Sequence, residues 1–358
     1  MVRAEPSVLT LFISFVRGAD AVRRDVLIPY ILQRLMVFIP LLFLISIISF
    51  VIIELPPGDY LTTYILFLEA QGTRMEDAQI ENLRVYYGLD SPIYVRYTKW
   101  IWNIIARGNF GWSFDYNRPV SAIIGERILL TIVLSTVTLL FTYIVAIPIG
   151  VLSAVKQYSV FDYTFTFIGF VGLALPNFLL ALVLLWISFN YFGVPVTGLF
   201  SAEYAQAAWS LAKVGNMLKR IWVPVIVVGT AGMAGLIRVM RGGLLDELRK
   251  QYVVTARAKG VAERKLLFRY PVRVAINPLI SGIGWLLPSI ISGATITSIV
   301  LNLPTTGPVL LGALLAQDMY LAGSFIMILS VLVLIGNLIS DILLAWLDPR
   351  IRFGEAAK

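Results

Sequence analysis

Long apolar runs alternate with short polar stretches along almost the whole chain. A hydrocarbon core about 30 Å thick is crossed by roughly 20 helical residues rising about 1.5 Å each. Six runs reach that length: Leu35 to Leu55, Ile128 to Val155, Phe165 to Phe192, Ile221 to Val239, Ile276 to Leu303 and Ala322 to Leu347. Pro40, Pro148, Pro176, Pro224 and Pro288 fall inside them, and packed membrane helices tolerate proline where neighbours re-satisfy the freed backbone groups. The pattern predicts an all-α, polytopic membrane protein with six transmembrane helices.

The longest interval between runs, residues 56–126, is not featureless. Arg74 to Tyr87 reads as helical, and Tyr94 to Ile105 carries Tyr97, Ile101 and Ile104 at helical spacing. Trp100, Trp102 and Trp112 suit a surface at the headgroup level. An outer helical loop between helices one and two is therefore expected, with Glu54 solvated at its edge. Val8 to Val16 is apolar but too short to span, and is expected to lie at the interface within an N-terminal extension, residues 1–34. Residues 35–347 form the transmembrane domain, and 348–358 a tail.

Charge sets the orientation. Arg238 to Arg273 holds ten basic residues against Asp246, Glu247 and Glu263, whereas Leu303 to Leu321 carries only Asp318. Basic residues also precede the first run (Arg23, Arg24, Arg34) and end the chain (Arg350, Arg352, Lys358). With six spans both termini share a side, and the positive-inside rule makes it cytoplasmic.

Composition sharpens this picture. The 358 residues are 58% hydrophobic and 14% charged, far from the roughly 45–50% and 25% of soluble domains. The net charge of +8 reads as loops facing anionic lipid rather than as a nucleic-acid surface. With no Cys and no His, thiolate nucleophiles, Cys-ligated zinc, Ser-His-Asp triads and HExxH sites are excluded. No GxxxxGK[ST] phosphate loop occurs, so the chain has no such route to ATP hydrolysis.

Within the basic interval, residues 240–275, two helical pieces meet at Gly260. Leu244, Leu245 and Leu248 give an apolar side before it, and Leu266, Leu267 and Val272 after it. Ala256 and Ala258 place small side chains where a short helix enters another protein's cleft, with Arg257, Lys259, Glu263 and Arg264 as a charged rim. The competing reading is a basic loop against lipid. As a helix stop, Gly260 is expected in the left-handed conformation.

Tyr252-Val253 followed by Thr255-Ala256-Arg257-Ala258-Lys259-Gly260 resembles the coupling segment of permease subunits of binding-protein-dependent ABC importers. The likeness is closest to the B-type subunit of the oligopeptide/dipeptide/nickel branch. It extends through Pro57-Gly58-Asp59, Tyr87-Gly88-Leu89-Asp90, Gly108-Asn109-Phe110-Gly111, Arg118-Pro119-Val120, Glu126-Arg127, Pro176 with Phe178, and Asp348-Pro349-Arg350. Together these cover about Ile31 to Gly354. Two departures stand out: Val254-Thr255-Ala256 where the broader motif begins Glu-Ala-Ala, and Leu303-Pro304-Thr305-Thr306-Gly307-Pro308 where the branch has a Pro-Gly-Leu-Gly-like run.

The resemblance implies a permease half-pore for oligopeptides, dipeptides or a related small solute in a prokaryotic inner membrane. It implies four kinds of companion: a homologous C-type permease, two ABC ATPase subunits that carry ATP and magnesium, a solute-binding protein, and lipid. No cofactor is expected in this chain. Tyr252, Thr255, Ala256, Arg257, Ala258, Lys259, Gly260 and Glu263 are the implied ATPase-coupling residues.

An ion-coupled secondary transporter is the alternative, but it needs buried acids or His, and only Asp341 lies well inside a run. Asp341 is read as a functional acid or as the partner of a nearby Arg. An intramembrane enzyme lacks a Lys or His base within the spans. Ser289, Ser292 and Thr295 share one helical face, as do Gly229, Gly232 and Gly235. Such small residues serve close helix packing or line the translocation pathway.

Overall fold

The computed structural model describes residues 24–55, 60–72, 74–87, 90–193 and 196–347. The expected interfacial helix at Val8 to Val16, the Pro57-Gly58-Asp59 motif and the 348–358 tail lie outside the described residues.

The architecture is helical throughout, with one two-residue hairpin. Helix α1 (Arg24–Glu54) is followed by α2 (Tyr60–Ala70), α3 (Asp77–Tyr87) and α4 (Ile93–Arg107). Strands β1 (Trp112–Ser113) and β2 (Arg118–Pro119) pair antiparallel and lead directly into α5 (Val120–Val155). Then come α6 (Val160–Ala174), α7 (Asn177–Phe192), the single turn α8 (Ala202–Ala205) and α9 (Leu211–Leu248). Four short helices follow: α10 (Gln251–Ala258), α11 (Glu263–Arg269), α12 (Pro271–Ala275) and α13 (Asn277–Ser281). The chain closes with α14 (Ile283–Val300), α15 (Thr306–Leu315) and α16 (Met319–Leu347).

Among the described residues, four helices are long and apolar enough to cross a membrane: α1, α5, α9 and α16. Two of the six expected spans differ from a single straight helix. The run from Phe165 to Phe192 is divided into α6 and α7, which meet at 107°. Its cause is Pro176, which pushes Leu175 into extended backbone (φ −80°, ψ 125°) and so ends α6. The run from Ile276 to Leu303 is also segmented: α13 starts afresh at Asn277, with Pro278 in its first turn. By contrast, α9 extends about ten residues beyond the expected Ile221–Val239 at each end.

Helix α9 lies along α5, and α1 along α16. Side chains such as Met36, Ile39, Ile144, Phe167 and Trp186 stay bare on α1, α5, α6 and α7. Apolar faces left open on this scale fit helices whose solvent is hydrocarbon.

Two polar clusters join the outer loop to the bundle. Arg96 of α4 donates to the Glu54 carboxylate at the end of α1, with side chains only 10% and 13% exposed. Glu54 is thus buried and paired, not solvated as its position at the end of an apolar run implies. Beside it Trp100 is 2% exposed and packs with Phe50, Ile53, Phe114 and Phe325, so it belongs to the core. Trp102 and Trp112 remain exposed.

The second cluster centres on Asp318, between α15 and α16. Its carboxylate accepts from Ser113 Oγ at 2.6 Å, from the Asp115 N–H at 3.2 Å and from the Leu321 N–H at 3.1 Å. The β-hairpin is thereby pinned to the start of α16. Burial pushes the Asp318 carboxyl above the usual carboxylate range despite these donors.

Candidate functional site: a helical hairpin at the foot of α9

At the end of the bundle opposite the outer loop, α9 runs on into the basic interval. Arg249 and Lys250 close it, and α10 turns back under a small core of its own. Val253 and Ala256, one turn apart on α10, are buried against Leu266 of α11, with Val261 and Tyr270 at the margins.

The turn between these helices follows from Gly260. Its φ is +74°, left-handed backbone that glycine adopts without steric cost. The Val261 N–H donates to the Ala256 carbonyl at 3.3 Å and the Gly260 N–H to the Arg257 carbonyl at 3.0 Å. That paired six-to-one and five-to-two pattern is the Schellman stop, with glycine at the position after the cap. The left-handed conformation expected of Gly260 is therefore present.

Arg257 and Glu263 tie the two helices from outside. Arg257 Nε donates to Glu263 at 3.1 Å, and a second guanidinium nitrogen donates to the other carboxylate oxygen. This hydrogen bond holds the Glu263 carboxyl below the usual carboxylate range. Both side chains are more than half exposed. Tyr252 donates its hydroxyl to Glu247 at the end of α9, and burial followed by that bond pushes the phenol well above its ordinary range.

The expected coupling residues thus divide by face. Tyr252, Thr255, Arg257, Ala258, Lys259, Gly260 and Glu263 are on the surface. Ala256 is not: it is 9% exposed and faces Leu266. Ala256 therefore fills the hairpin's own core, and Ala258 is the small side chain left exposed. The Val253/Ala256 spacing of three is the sequence signal for that inward face.

The hairpin is anchored, not appended. Helix α12 begins with a buried Pro271, and its Val272 and Ala275 pack with Leu279 against Met240 and Leu244 of α9 and Val151 and Ala154 of α5. Nearby, Arg241 of α9 grips Asp162 of α6 with two bonds, Nε to Oδ1 at 2.9 Å and Nη2 to Oδ2 at 2.8 Å. Asp162 is 3% exposed. Sequence reasoning passed over this clamp, although Ser159-Val160-Phe161-Asp162 before an apolar run is a helix-start signal. Ser159 Oγ indeed accepts the Asp162 N–H, at 3.3 Å.

The expected pathway residues also divide. A Cβ on Gly229 would stand 2.9 Å from Phe141 and 3.0 Å from Thr142 of α5, and one on Gly232 2.8 Å from Leu286 of α14. Both glycines therefore serve close helix packing. Thr295 backs onto Gly307 of α15 in the same way. Ser289 lines a cavity of about 900 Å³ between α1, α14 and α16, together with Phe38, Asn337 and Ser340. At its edge Arg34 pairs with Asp341 at 3.1 Å, which gives Asp341 the arginine partner anticipated for it. The side chain of Ser292 lies outside the described residues.

Family comparisons agree with this geometry. Residues 27–135 match the N-terminal model of binding-protein-dependent transport system membrane components, and residues 146–353 match the model of binding-protein-dependent transport system inner membrane components. The oligopeptide transport system permease protein AppB of Bacillus subtilis is 36% identical over 326 residues, covering 90% of this chain and 99% of its own. The dipeptide permease DppB of Alkalihalophilus pseudofirmus and the oligopeptide permease OppB of Haemophilus influenzae are each 28% identical, over 91% of this chain and their full lengths. Apolar helices, a helical hairpin at the foot of the longest one and matches along nearly the whole chain converge on one conclusion: this chain belongs to the family of binding-protein-dependent transport system inner membrane components, as a permease subunit of an ABC importer.

Proposed function

We propose that this chain forms one half of the translocation pathway of an importer for oligopeptides. It lies in a prokaryotic inner membrane with six spans and both termini in the cytoplasm. The α6–α7 pair counts as one bent span, and the α12–α14 series as another. A homologous C-type permease supplies the other half, a solute-binding protein delivers cargo to the outer loop, and two ABC ATPase subunits bind ATP and magnesium.

The observation that carries this reading is the exposed edge of α10, held at the foot of α9 by its Schellman stop. Helix α9 has 38 residues, about 57 Å at 1.5 Å each. It therefore extends well beyond a hydrocarbon core of about 30 Å. The α12 contacts and the Arg241–Asp162 clamp give the hairpin a stiff connection to α5, α6 and α9. A docked ATPase that closes on nucleotide moves such a unit as a rigid body. The names of the relatives support peptide cargo.

The test replaces Ala258 by Glu and Gly260 by Val in the reconstituted four-subunit complex. Both variants are expected to assemble, while uptake and cargo-stimulated ATP hydrolysis fall at least about tenfold, because the edge facing the ATPase is altered. Valine at Gly260 also costs about 1–2 kcal/mol in left-handed backbone. Unchanged coupling in both variants would overturn the assignment.

A further inference from the structure

A second recess lies at the outer-loop end and plays no part in coupling. It encloses about 920 Å³ between the start of α5, the α7–α9 connection, the first turns of α9 and the α14–α15 turn. The last of these walls is the atypical segment from Leu303 to Pro308. A volume of this size suits a small ligand.

Its chemistry is cationic. Lys213 of α9 lines it and is 6% exposed. The ammonium stands 4.8 Å from the Phe200 ring centre and 5.3 Å from that of Trp209, a geometry in which the ring faces attract a cation. It donates to the Ala207 carbonyl at 2.5 Å, which uses one of its three N–H groups. No carboxylate among the described residues pairs with it.

Arg127 of α5 forms the facing wall, and its buried Nε has no hydrogen-bond partner. Thr305 also lines the recess; it is 4% exposed and its hydroxyl is unpaired. The rim carboxylate, Glu126, is engaged by Arg118 at 2.5 Å, so it does not neutralise the interior. A buried lysine with no carboxylate partner and a buried arginine Nε with no acceptor, in one aromatic-walled recess, are costly unless an anion completes them.

The geometry points to a site for the C-terminal carboxylate of the transported peptide, bound as cargo enters the permease from the outer side. This rests on the peptide reading above. Lys213 and Arg127 supply the charge, Thr305 a hydroxyl donor, and Phe200, Trp209 and Tyr116 a surface for the adjoining residue. A carboxylate with charged donors forms hydrogen bonds roughly twice as strong as neutral ones, so the same peptide as its C-terminal amide loses most of the attraction.

Two measurements test the site. The chain has no cysteine, so Gln206→Cys gives it a single thiol, at the recess wall, and labelling is read on this subunit after it is separated from the assembled complex. A negatively charged methanethiosulfonate is expected to label it about tenfold faster than a positively charged one, after normalisation to free cysteine, as charges at this range dictate. The preference should vanish when Lys213→Met and Arg127→Gln are added. A ratio equal to that of free cysteine overturns the proposal.

In the second measurement, uptake of a tripeptide and of its C-terminal amide is compared with the solute-binding protein saturated by each. The free acid is expected to enter at least about fivefold faster, and the gap should close in the double variant. Equal uptake of both forms by the wild-type complex overturns the carboxylate site alone. Uptake of neither form removes the peptide reading itself, and this inference with it.

Discussion

The two ends of the bundle hold their polar groups in opposite ways. At the outer end the Arg96–Glu54 pair and Asp318 are buried, and each fixes a loop element to a membrane helix. At the hairpin end the Arg257–Glu263 pair lies open to solvent over a core of three small and medium side chains. Burial makes a charge pair costly to break, whereas exposure makes it nearly neutral. The loop between α1 and α5 is thus built to stay, whereas the hairpin leaves its charges open to solvent.

Breaking the outer pair should have the largest effect. Arg96→Ala leaves the Glu54 carboxylate buried without its partner, and a loss of about 3–5 kcal/mol is expected. Thermal unfolding of the detergent-solubilised permease measures this, and Glu54→Gln combined with Arg96→Met should recover much of the loss. Full wild-type stability for Arg96→Ala would show that the pair is solvated after all.

Asp318 should come next. Removing it with Asp318→Ala deserts the Ser113 hydroxyl and two backbone N–H groups, at about 2–3 kcal/mol. Hydrogen exchange across residues 112–120 reports that loss. The pH dependence follows from the direction of the shift. A carboxyl raised in the folded state binds its proton more tightly there than in the unfolded chain. Its contribution is most favourable at low pH and is lost as pH rises through the raised pKa. Exchange protection of the β-hairpin, corrected for intrinsic rates, should therefore be greater at about pH 4, near the ordinary Asp value, than at about pH 7, well above it. Asp318→Asn should flatten that difference.

The exposed hairpin pair gives the smallest change. Arg257→Ala should alter stability by no more than about 0.2–1 kcal/mol. Because Glu263 is lowered in the folded state, whatever it contributes is present above the ordinary carboxylate range and fades as pH falls through the shifted value. If Arg257→Ala unfolded the hairpin, as read by exchange at α10, the contrast between the two ends would fail.

Much of the fold was legible because hydropathy reports burial in lipid directly. The runs ending in Leu55, Val155 and Leu347 end within one residue of their helices, and the third run breaks at Pro176, where proline chemistry acts locally. Gly260 was legible for the same reason. What escaped were pairings between distant positions. Glu54 read as solvated because Arg96 is 42 residues away, and Ser113 and Asp318 are 205 apart. No periodicity carries such information. Ala256 was misjudged although the local pattern held the answer, since small size was taken for exposure while its spacing from Val253 marked an inward face. The recess around Lys213 is assembled from three separated stretches of chain, and nothing in any one of them announces it.

Helix α9 joins that recess to the hairpin in one uninterrupted element, with Lys213 in its first turn and Leu248 in its last. It therefore acts as a lever arm whose two ends cannot be displaced independently. A tilt of about 5° about the hairpin end swings the far end through an arc of about 5 Å over the helix length of about 57 Å. That arc is comparable with the 4.8 Å between the Lys213 ammonium and the Phe200 ring centre. A small tilt at the foot of α9 is thus amplified at its far end, where Lys213 stands.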